Sequence, residues 1–473
     1  MTSLHDLPFE VLREILFQAA DRKTVYKGHI ELSRVCRFFR AVSRKIYKIL
    51  SVAVCCCGDP RVIGHAANFI RRYECQGLVA IVRRGPIRGD ILFADPMPSV
   101  TVVSEHTSKE ATDQSLATWF PSSLPNLVEY EIESSAKSLS VPVINQTFSK
   151  LTLDGSTHNI DHVMVTCIPD RVTHLTINSG VALSGDCKFT GADLRELEVG
   201  YGTDPNTLYR IIGNCSTRLE YLNVVSYSSH AHQSPPVADT FSNIRHLTIG
   251  GGLFDYTIQA LFSPSKTFRH METLCLYQPH GPTTEYDMLE IDDTRFPNLA
   301  RLEIGGGSKP IRKSVQRLVI RSPVIAKISI SPFPFCQAVE IDTPNLHYFR
   351  FAREGGHDDT PIHVRNARFT RIRELYGSYS TFAEFQPHLP AAMSILDIYC
   401  VSDSMDYTFR LESVSISCVR IQFAVNVHSA SAKSVHVVCD AKSVTIQPPA
   451  GSKYGSFKCR VQNFATPSDL TMC

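Results

Sequence analysis

One apolar pattern returns along most of this chain and limits what it can fold into. It reads apolar, two residues, apolar, one residue, apolar. It appears as Leu127-x-x-Tyr130-x-Ile132, Phe148-x-x-Leu151-x-Leu153, Val172-x-x-Leu175-x-Ile177, Leu194-x-x-Leu197-x-Val199, Leu219-x-x-Leu222-x-Val224 and Ile244-x-x-Leu247-x-Ile249. It continues as Met271-x-x-Leu274-x-Leu276, Leu299-x-x-Leu302-x-Ile304, Val315-x-x-Leu318-x-Ile320, Leu346-x-x-Phe349-x-Phe351, Met393-x-x-Leu396-x-Ile398 and Leu411-x-x-Val414-x-Ile416. The interval is roughly 21 to 28 residues over most of the chain, a range typical of stacked repeats. Pro-Asn-Leu precedes three copies, at Pro125-Asn126-Leu127, Pro297-Asn298-Leu299 and Pro344-Asn345-Leu346, which sets the same turn before the same element. The alternating part of each copy reads as a short strand with one buried face. One copy cannot bury that face alone, but its neighbour can, so the strands are expected to stack into a parallel sheet.

The segments between copies read in part as helices. Asp59 to Cys75 has Pro60 near its start and apolar residues at helical spacing, and Leu208 to Ile212 and Tyr256 to Phe262 look similar. Ser51 to Val54 and Leu78 to Val82 read as the first strands, with Cys55 to Cys57 as the end of the earlier one. Toward the C-terminus the spacing tightens. Leu318, Ile328, Val339 and Phe349 lie only about ten or eleven residues apart, too close for a helix between strands. Val435-x-Val437 and Val444-x-Ile446 repeat that compression, so the solenoid is expected to become nearly all-β there.

Composition narrows the class. The chain has 473 residues, 43% of them hydrophobic and 20% charged, as in globular proteins. A formal net charge of +2 does not suggest a nucleic-acid binder. No apolar run approaches the roughly 20 residues of a membrane span, and the N-terminus lacks the pattern of a signal peptide. The 15 cysteines are odd in number, follow no framework spacing and include no Cys-x-x-Cys pair. Free thiols in an intracellular protein, cytoplasmic or nuclear, are the expectation, without a structural zinc site.

The first fifty residues carry a second signal. Leu7-Pro8-Phe9-Glu10-Val11-Leu12-Arg13-Glu14-Ile15-Leu16 puts Pro8 where a helix starts, followed by an apolar stripe of Val11, Leu12, Ile15 and Leu16. Leu32, Val35, Cys36 and Phe39 make another stripe. So short a segment does not bury two stripes by itself at a comfortable stability, so at least one is expected to face a partner.

This pattern resembles the F-box, the helical module by which substrate receptors join SCF-type ubiquitin ligases. Leu7, Pro8, Glu10, Val11, Ile15, Leu16, Val35 and Cys36 match its motif. Phe39 or Phe38 stands in place of the usual Trp, and the polar spacer from Asp21 to His29 is longer than the common form. The repeats are similar to degenerate leucine-rich repeats, with the consensus asparagine mostly missing. An F-box followed by such repeats is similar to a large class of fungal F-box proteins. The resemblance implies an α/β chain, with a helical F-box at 1–48 and a leucine-rich-repeat-like solenoid with a parallel sheet at 49–473, more β-rich toward its C-terminus.

It further implies a substrate-recognition subunit of an SCF-type ligase. Leu7, Pro8, Val11, Leu12, Ile15, Leu16, Leu32, Val35, Cys36 and Phe39 would bind the SKP-family adaptor, and through it cullin, while the solenoid holds an unknown protein substrate. Such a subunit is not an enzyme and needs no cofactor; its contribution is proximity. A protein-binding scaffold without a ubiquitylation role is an alternative, and a β-helix carbohydrate-active enzyme is another.

Candidate chemistry elsewhere is thin. Gly250-Gly251-Gly252 and Gly305-Gly306-Gly307 follow strands, but neither continues as Gly-x-Gly-x-x-Gly or ends in Gly-Lys-Ser/Thr. They read as glycines where the chain turns out of a strand. His230-Ala231-His232 lies in a Ser/Pro-rich loop with no third ligand at a metal-binding spacing, and His357-Asp358-Asp359 reads as a solvated turn. The outward strand positions are more informative. Early copies present Glu129, Glu131, Glu133, Glu196 and Glu198; middle copies present Arg301, Arg317, Arg321, Lys327 and Arg350, with Glu303 and Glu340 as exceptions. Arg317, Arg321, Lys327 and Arg350 are therefore expected to share one face and to contact an acidic or phosphorylated partner.

Overall fold

The structure is a computed structural model. It describes residues 52–55, 60–76, 78–83, 92, 94–107, 123–134, 138–141, 148–155, 163–178, 180–200, 205–215, 217–225, 241–250, 254–262, 266–277, 286–305, 315–330, 336–351, 362–364, 372–400, 407–423, 434–447, 458–463 and 470–472. The F-box-like residues at 1–48 lie outside the described residues. The chain divides into two compact units between residues 215 and 216, and each is a mostly parallel-sheet solenoid with few helices.

In the first unit the main sheet runs Val52–Cys55, Val79–Arg83, Val102–Thr107, Glu129–Ser134, Lys150–Gly155, His174–Ile177 and Glu196–Val199, every pair parallel. From Glu129 onward the chain alternates between this sheet and a second, parallel one made of Ser138–Ser140, Val163–Cys167 and Val181–Lys188. Each turn of this coil therefore holds two strands. Helix α1 (Pro60–Tyr73) returns the chain between the first two main strands. Its Ile63, Ala67 and Ile70 are buried along one face. It stops where Glu74 turns to φ 48° and the Cys75 amide donates to the Ile70 carbonyl, the geometry of a Schellman cap. Helix α2 (Pro205–Cys215) buries Leu208, Ile211, Ile212 and Cys215 in the same way.

In the second unit the main sheet runs Tyr221–Val225, His246–Gly250, Thr273–Tyr277, Arg301–Gly305, Lys327–Ile330, Tyr348–Phe351, Glu374–Ser378, Ala392–Cys400, Tyr407–Phe423 and Ser434–Gln447. Ser434–Gln447 then pairs with both Lys458–Asn463 and Leu470–Met472. Tyr286–Asp292, Val315–Arg321, Cys336–Asp342 and Ile362–Val364 form a second parallel sheet. The half-length spacing at Leu318, Ile328, Val339 and Phe349 is thus the chain stepping between two sheets, so this stretch is all-β as the sequence suggests. Helix α3 (Phe254–Leu261) and helix α4 (Tyr379–Phe385) take the place of second-sheet strands in other turns. No described helix is long and apolar enough to cross a membrane.

Register corrects the pattern at three places. Val315-x-x-Leu318-x-Ile320 lies in the second sheet, and the main-sheet copy between Leu302 and Phe349 is Ile325-x-x-Ile328-x-Ile330. Ile372-x-x-Leu375-x-Gly377 is a further main-sheet copy. Leu411-x-x-Val414-x-Ile416 is displaced, because Met393, Leu396 and Ile398 pair with Ile416, Val419 and Ile421. Apolar spacing alone cannot tell neighbouring strands of one coil apart, since both bury one face.

Many of the main strands are entered through the same turn. The amides of Leu127, Val172, Leu194, Ile244, Met271, Leu299 and Leu346 each donate to the carbonyl three residues back. The next amides repeat a second device: those of Ala300 and Arg301 both donate to Glu272, and those of Ala326 and Lys327 both donate to Ala300. The asparagine of Pro-Asn-Leu ties one turn to the turn before it. The side-chain amide of Asn126 donates to the Pro98 carbonyl at 2.8 Å, that of Asn298 to Arg269 at 2.6 Å and that of Asn345 to Pro323 at 2.6 Å. Asn243 donates likewise to Thr217. Buried rings fill the coil beneath the turns, with Phe268 and Phe296 stacked at 5.4 Å. The core row Leu222, Leu247, Leu274, Leu302, Ile328, Phe349, Leu375, Leu396 and Val419 runs through the second unit. Each such side chain contributes about 1.5–3 kcal/mol by leaving water.

Candidate functional site: the outward face of the main sheets

Parallel register turns the alternate residues of every strand into rows. In the first unit one outward row reads Glu129, Lys150, His174, Glu196; the next reads Ser104, Glu131, Thr152, Thr176, Glu198; a third reads His106, Glu133, Asp154. All five early glutamates expected to point outward do so, and the face is acidic. Two imidazoles meet its carboxylates: His106 Nδ1 lies 2.5 Å from Glu133, and His174 Nε2 lies 3.4 Å from Glu196. Behind it, the fully buried Glu105 occupies a core position and accepts the Tyr130 hydroxyl.

The second unit presents a different face. One row reads Tyr221, His246, Thr273, Arg301, Lys327, Tyr348, Glu374. The next reads Asn223, Thr248, Cys275, Glu303, Ser329, Arg350, Tyr376, Asp397, Arg420. This is a mixed surface of tyrosines, cations and acids, and tyrosine and arginine are among the residue types that anchor protein interfaces.

Its acids are engaged by neighbours. The Tyr277 hydroxyl donates to Glu303 at 2.6 Å, and the Arg301 guanidinium donates to the same carboxylate at 3.0 Å. Burial, then that carboxylate, pushes the Tyr277 phenol well above its ordinary range. The bond to Glu303 raises Arg301. The Tyr376 hydroxyl donates to Glu374 at 3.1 Å, and burial together with that carboxylate lifts Tyr376 to about 12. Asp397 is almost buried in its row. Burial raises its carboxyl above the ordinary value, while Arg420 and Arg350 pull it down.

Glycine has a specific place on this face. Tyr277 lies between Gly250 and Gly305 in register. A Cβ on Gly305 would stand 2.5 Å from Tyr277 Cδ1 and 2.8 Å from Cε1. These two glycines were expected to serve a sharp turn; at Gly305 the structure gives a closer reason, the tyrosine ring laid across its backbone. The glycines that follow them, and His230, His232, His357, Asp358 and Asp359, lie outside the described residues. Among the described residues no three side chains converge as metal ligands.

The four cations expected to form one surface fall on two sheets. Lys327 and Arg350 stand on the main sheet, on adjacent strands. Arg317 and Arg321 stand on the outer side of the second sheet. There Arg317 pairs with Glu340, and Arg321 pairs with Glu290 at 2.8 Å and approaches Glu340 at 4.0 Å. This network covers Val319, which is buried although it points away from the coil's core. The strand of Arg317 and Arg321 copies the main-sheet spacing, so the sequence pattern alone groups them with the other two. Tyr277, Tyr348, Tyr376, Asp397 and Arg420 were missed, although alternation from the core positions would have found them.

The described cysteines Cys75, Cys167, Cys187, Cys215, Cys275 and Cys418 are unpaired. Burial pushes the thiols of Cys187 and Cys215 up to about 12 and that of Cys75 to about 11. Leu7, Pro8, Val11, Leu12, Ile15, Leu16, Leu32, Val35, Cys36 and Phe39 lie outside the described residues. No protein-family model matches the chain, and no curated protein matches it.

Proposed function

We propose that this chain is a protein-binding solenoid that serves as the substrate-recognition subunit of an SCF-type ubiquitin ligase. Its protein-binding half rests on one observation: the second unit's main sheet holds Tyr348, Tyr376, Lys327, Arg350 and Arg420 in register on one outward face. A continuous ladder fixes the backbone positions of these residues, so a partner does not have to order that backbone. The ligase half rests on Leu7-Pro8, Glu10-Val11, Ile15-Leu16 and Val35-Cys36, the residues that resemble the F-box motif. In this reading residues 1–48 hold the SKP-family adaptor and the leucine-rich-repeat-like solenoid holds the substrate, with no chemistry performed by the chain itself.

The test is co-purification of the adaptor with the full chain and with Ile15→Asp/Val35→Asp. A truncated interface anchor costs more than about 2 kcal/mol, and a buried carboxylate costs more, so the double variant should lose the adaptor. A folded double variant that keeps full adaptor binding removes the ligase assignment and leaves a scaffold. A β-helix carbohydrate-active enzyme is the second reading, favoured by the two-strand turns and by the buried Asp397 carboxyl among arginines. Turnover of acidic polysaccharides that is abolished by Asp397→Asn would select it.

A further inference from the structure

The outward face of the second unit is not uniform, and its imbalance falls at one place. Lys327 and Tyr348 sit opposite each other on adjacent strands, and so do Ser329 and Arg350. These four make a square about 4.8 Å by 6.7 Å at the backbone, with the two cations on its diagonal. The acids around it are engaged by neighbours. Glu303, opposite Ser329 on one side, accepts from Tyr277 and Arg301. Glu374, opposite Tyr348 on the other side, accepts from Tyr376. Asp397 lies two strands away from Arg350 and beside Arg420, and it feels the charge of both. Neither Lys327 nor Arg350 closes an ion pair among the described residues. Both are exposed. Arg317 and Arg321 differ in that their charges are answered by Glu340 and Glu290.

We infer that this square seats an acidic linear segment of the captured protein, with carboxylates at two alternate positions and an apolar residue between or beside them. The inference rests on the receptor reading above. An extended peptide sets side chains i and i+2 about 6.7 Å apart on one side, which long cationic side chains on a diagonal of about 8 Å can meet together. The Ser329 hydroxyl can donate into the same space. The Tyr348 and Tyr376 rings, 5.5 Å apart, give the flat apolar area beside it. Tyr277–Glu303 and Tyr376–Glu374 border the square, so a basic segment would meet carboxylates only at the rim and the two cations at the centre. That arrangement selects against basic partners as well as for acidic ones.

The probe is a fluorescein-labelled nonapeptide centred on Glu-Leu-Glu, titrated by anisotropy against the full chain at low and high salt. Comparison peptides carry Gln-Leu-Gln, Lys-Leu-Lys, or phosphoserine at both acidic positions. The Glu peptide should bind and weaken with salt, while the Gln and Lys peptides should bind at least about tenfold more weakly. Lys327→Glu/Arg350→Glu should lose at least about tenfold in affinity, and Lys327→Ala/Arg350→Ala should lose part of it. Arg171→Glu/Arg269→Glu makes the same charge change at exposed turn positions and should leave binding unchanged. Equal binding of the Gln peptide, or full binding by the folded Lys327→Glu/Arg350→Glu protein, overturns the inference. Binding of the phosphoserine peptide alone overturns the carboxylate assignment. Adaptor co-purification is measured on the same variants. Lost peptide binding by the wild-type chain with the adaptor retained removes only this seat, whereas peptide binding without the adaptor removes only the ligase reading.

Discussion

Gly305→Ala is the sharpest test of how the outward face of the second unit is built. The added Cβ would stand 2.5 Å from Tyr277 Cδ1 and 2.8 Å from Cε1. Carbon atoms in good contact are about 3.5–4.0 Å apart, so the ring must retreat by about 1 Å. Its far end is fixed by the 2.6 Å bond to Glu303. Overpacking of this kind costs about 1–3 kcal/mol. Weakening a hydrogen bond to a carboxylate adds about 1 kcal/mol at a half-buried site. The sum is about 3 kcal/mol, read as a drop in the urea midpoint of the second unit's unfolding. Gly250→Ala is the internal comparison. Its Cβ would meet Tyr277 Cβ at 3.3 Å, a contact that needs only a slight adjustment, so the cost should stay below about 1.5 kcal/mol. In a Tyr277→Ala background the clash at Gly305 is gone, and Gly305→Ala should become neutral or slightly stabilising through the unfolded chain. The cycle should therefore show a coupling of about 3 kcal/mol. Equal costs for the two glycines, or no coupling to Tyr277, would refute the ring-on-glycine account.

Other outcomes follow from the same structure. Asn298→Ala should cost about 1 kcal/mol, because it removes the bond to the Arg269 carbonyl, and Asn298→Asp should not restore it, since a carboxylate cannot donate; urea melts decide both. Arg317→Ala should destabilise by about 2 kcal/mol, because it removes the close guanidinium partner of the nearly buried Glu340, while capture of the acidic peptide should stay unchanged. The raised carboxyl of Asp397 means that the native state holds its proton more tightly than the unfolded chain does. Stabilisation by that proton is complete below the ordinary value of 3.8 and is lost as pH rises through the folded value, so Asp397→Asn should raise the melting midpoint at pH 7 and gain less as the pH falls. Peptides carrying Cys187 and Cys215 should resist alkylation at pH 8.5 in the native protein and react fully in denaturant.

Which parts of this fold the residues announce depends on the kind of constraint each position feels. The core rows are legible because a parallel stack repeats one burial requirement, and every turn must meet it with Leu, Ile, Val or Phe. The turns are legible for a related reason: Pro-Asn-Leu sets the bend, and its asparagine also bonds the preceding turn. Helices α1, α2 and α3 were legible through their apolar spacing, whereas α4, a short helix carried by Phe382 and Phe385, was not. The second sheets were half legible. Compression near Leu318 and Val339 revealed one, while Ser138–Ser140, with a single buried Leu139, is too short to mark the other. Register was the hard limit. Val315–Arg321 and Lys327–Ile330 obey the same alternation, so nothing local says that they belong to different sheets. That ambiguity put Arg317 and Arg321 beside Lys327 and Arg350. The pairing resolves it through charge: the cations of the second sheet are answered by acids on adjacent strands, whereas Lys327 and Arg350 on the main sheet close no ion pair among the described residues. A cation held by Glu340 over a buried valine contributes to stability. One held on a ladder among engaged acids is left to meet a charge from outside, which is why the candidate surface contracts from four residues to two.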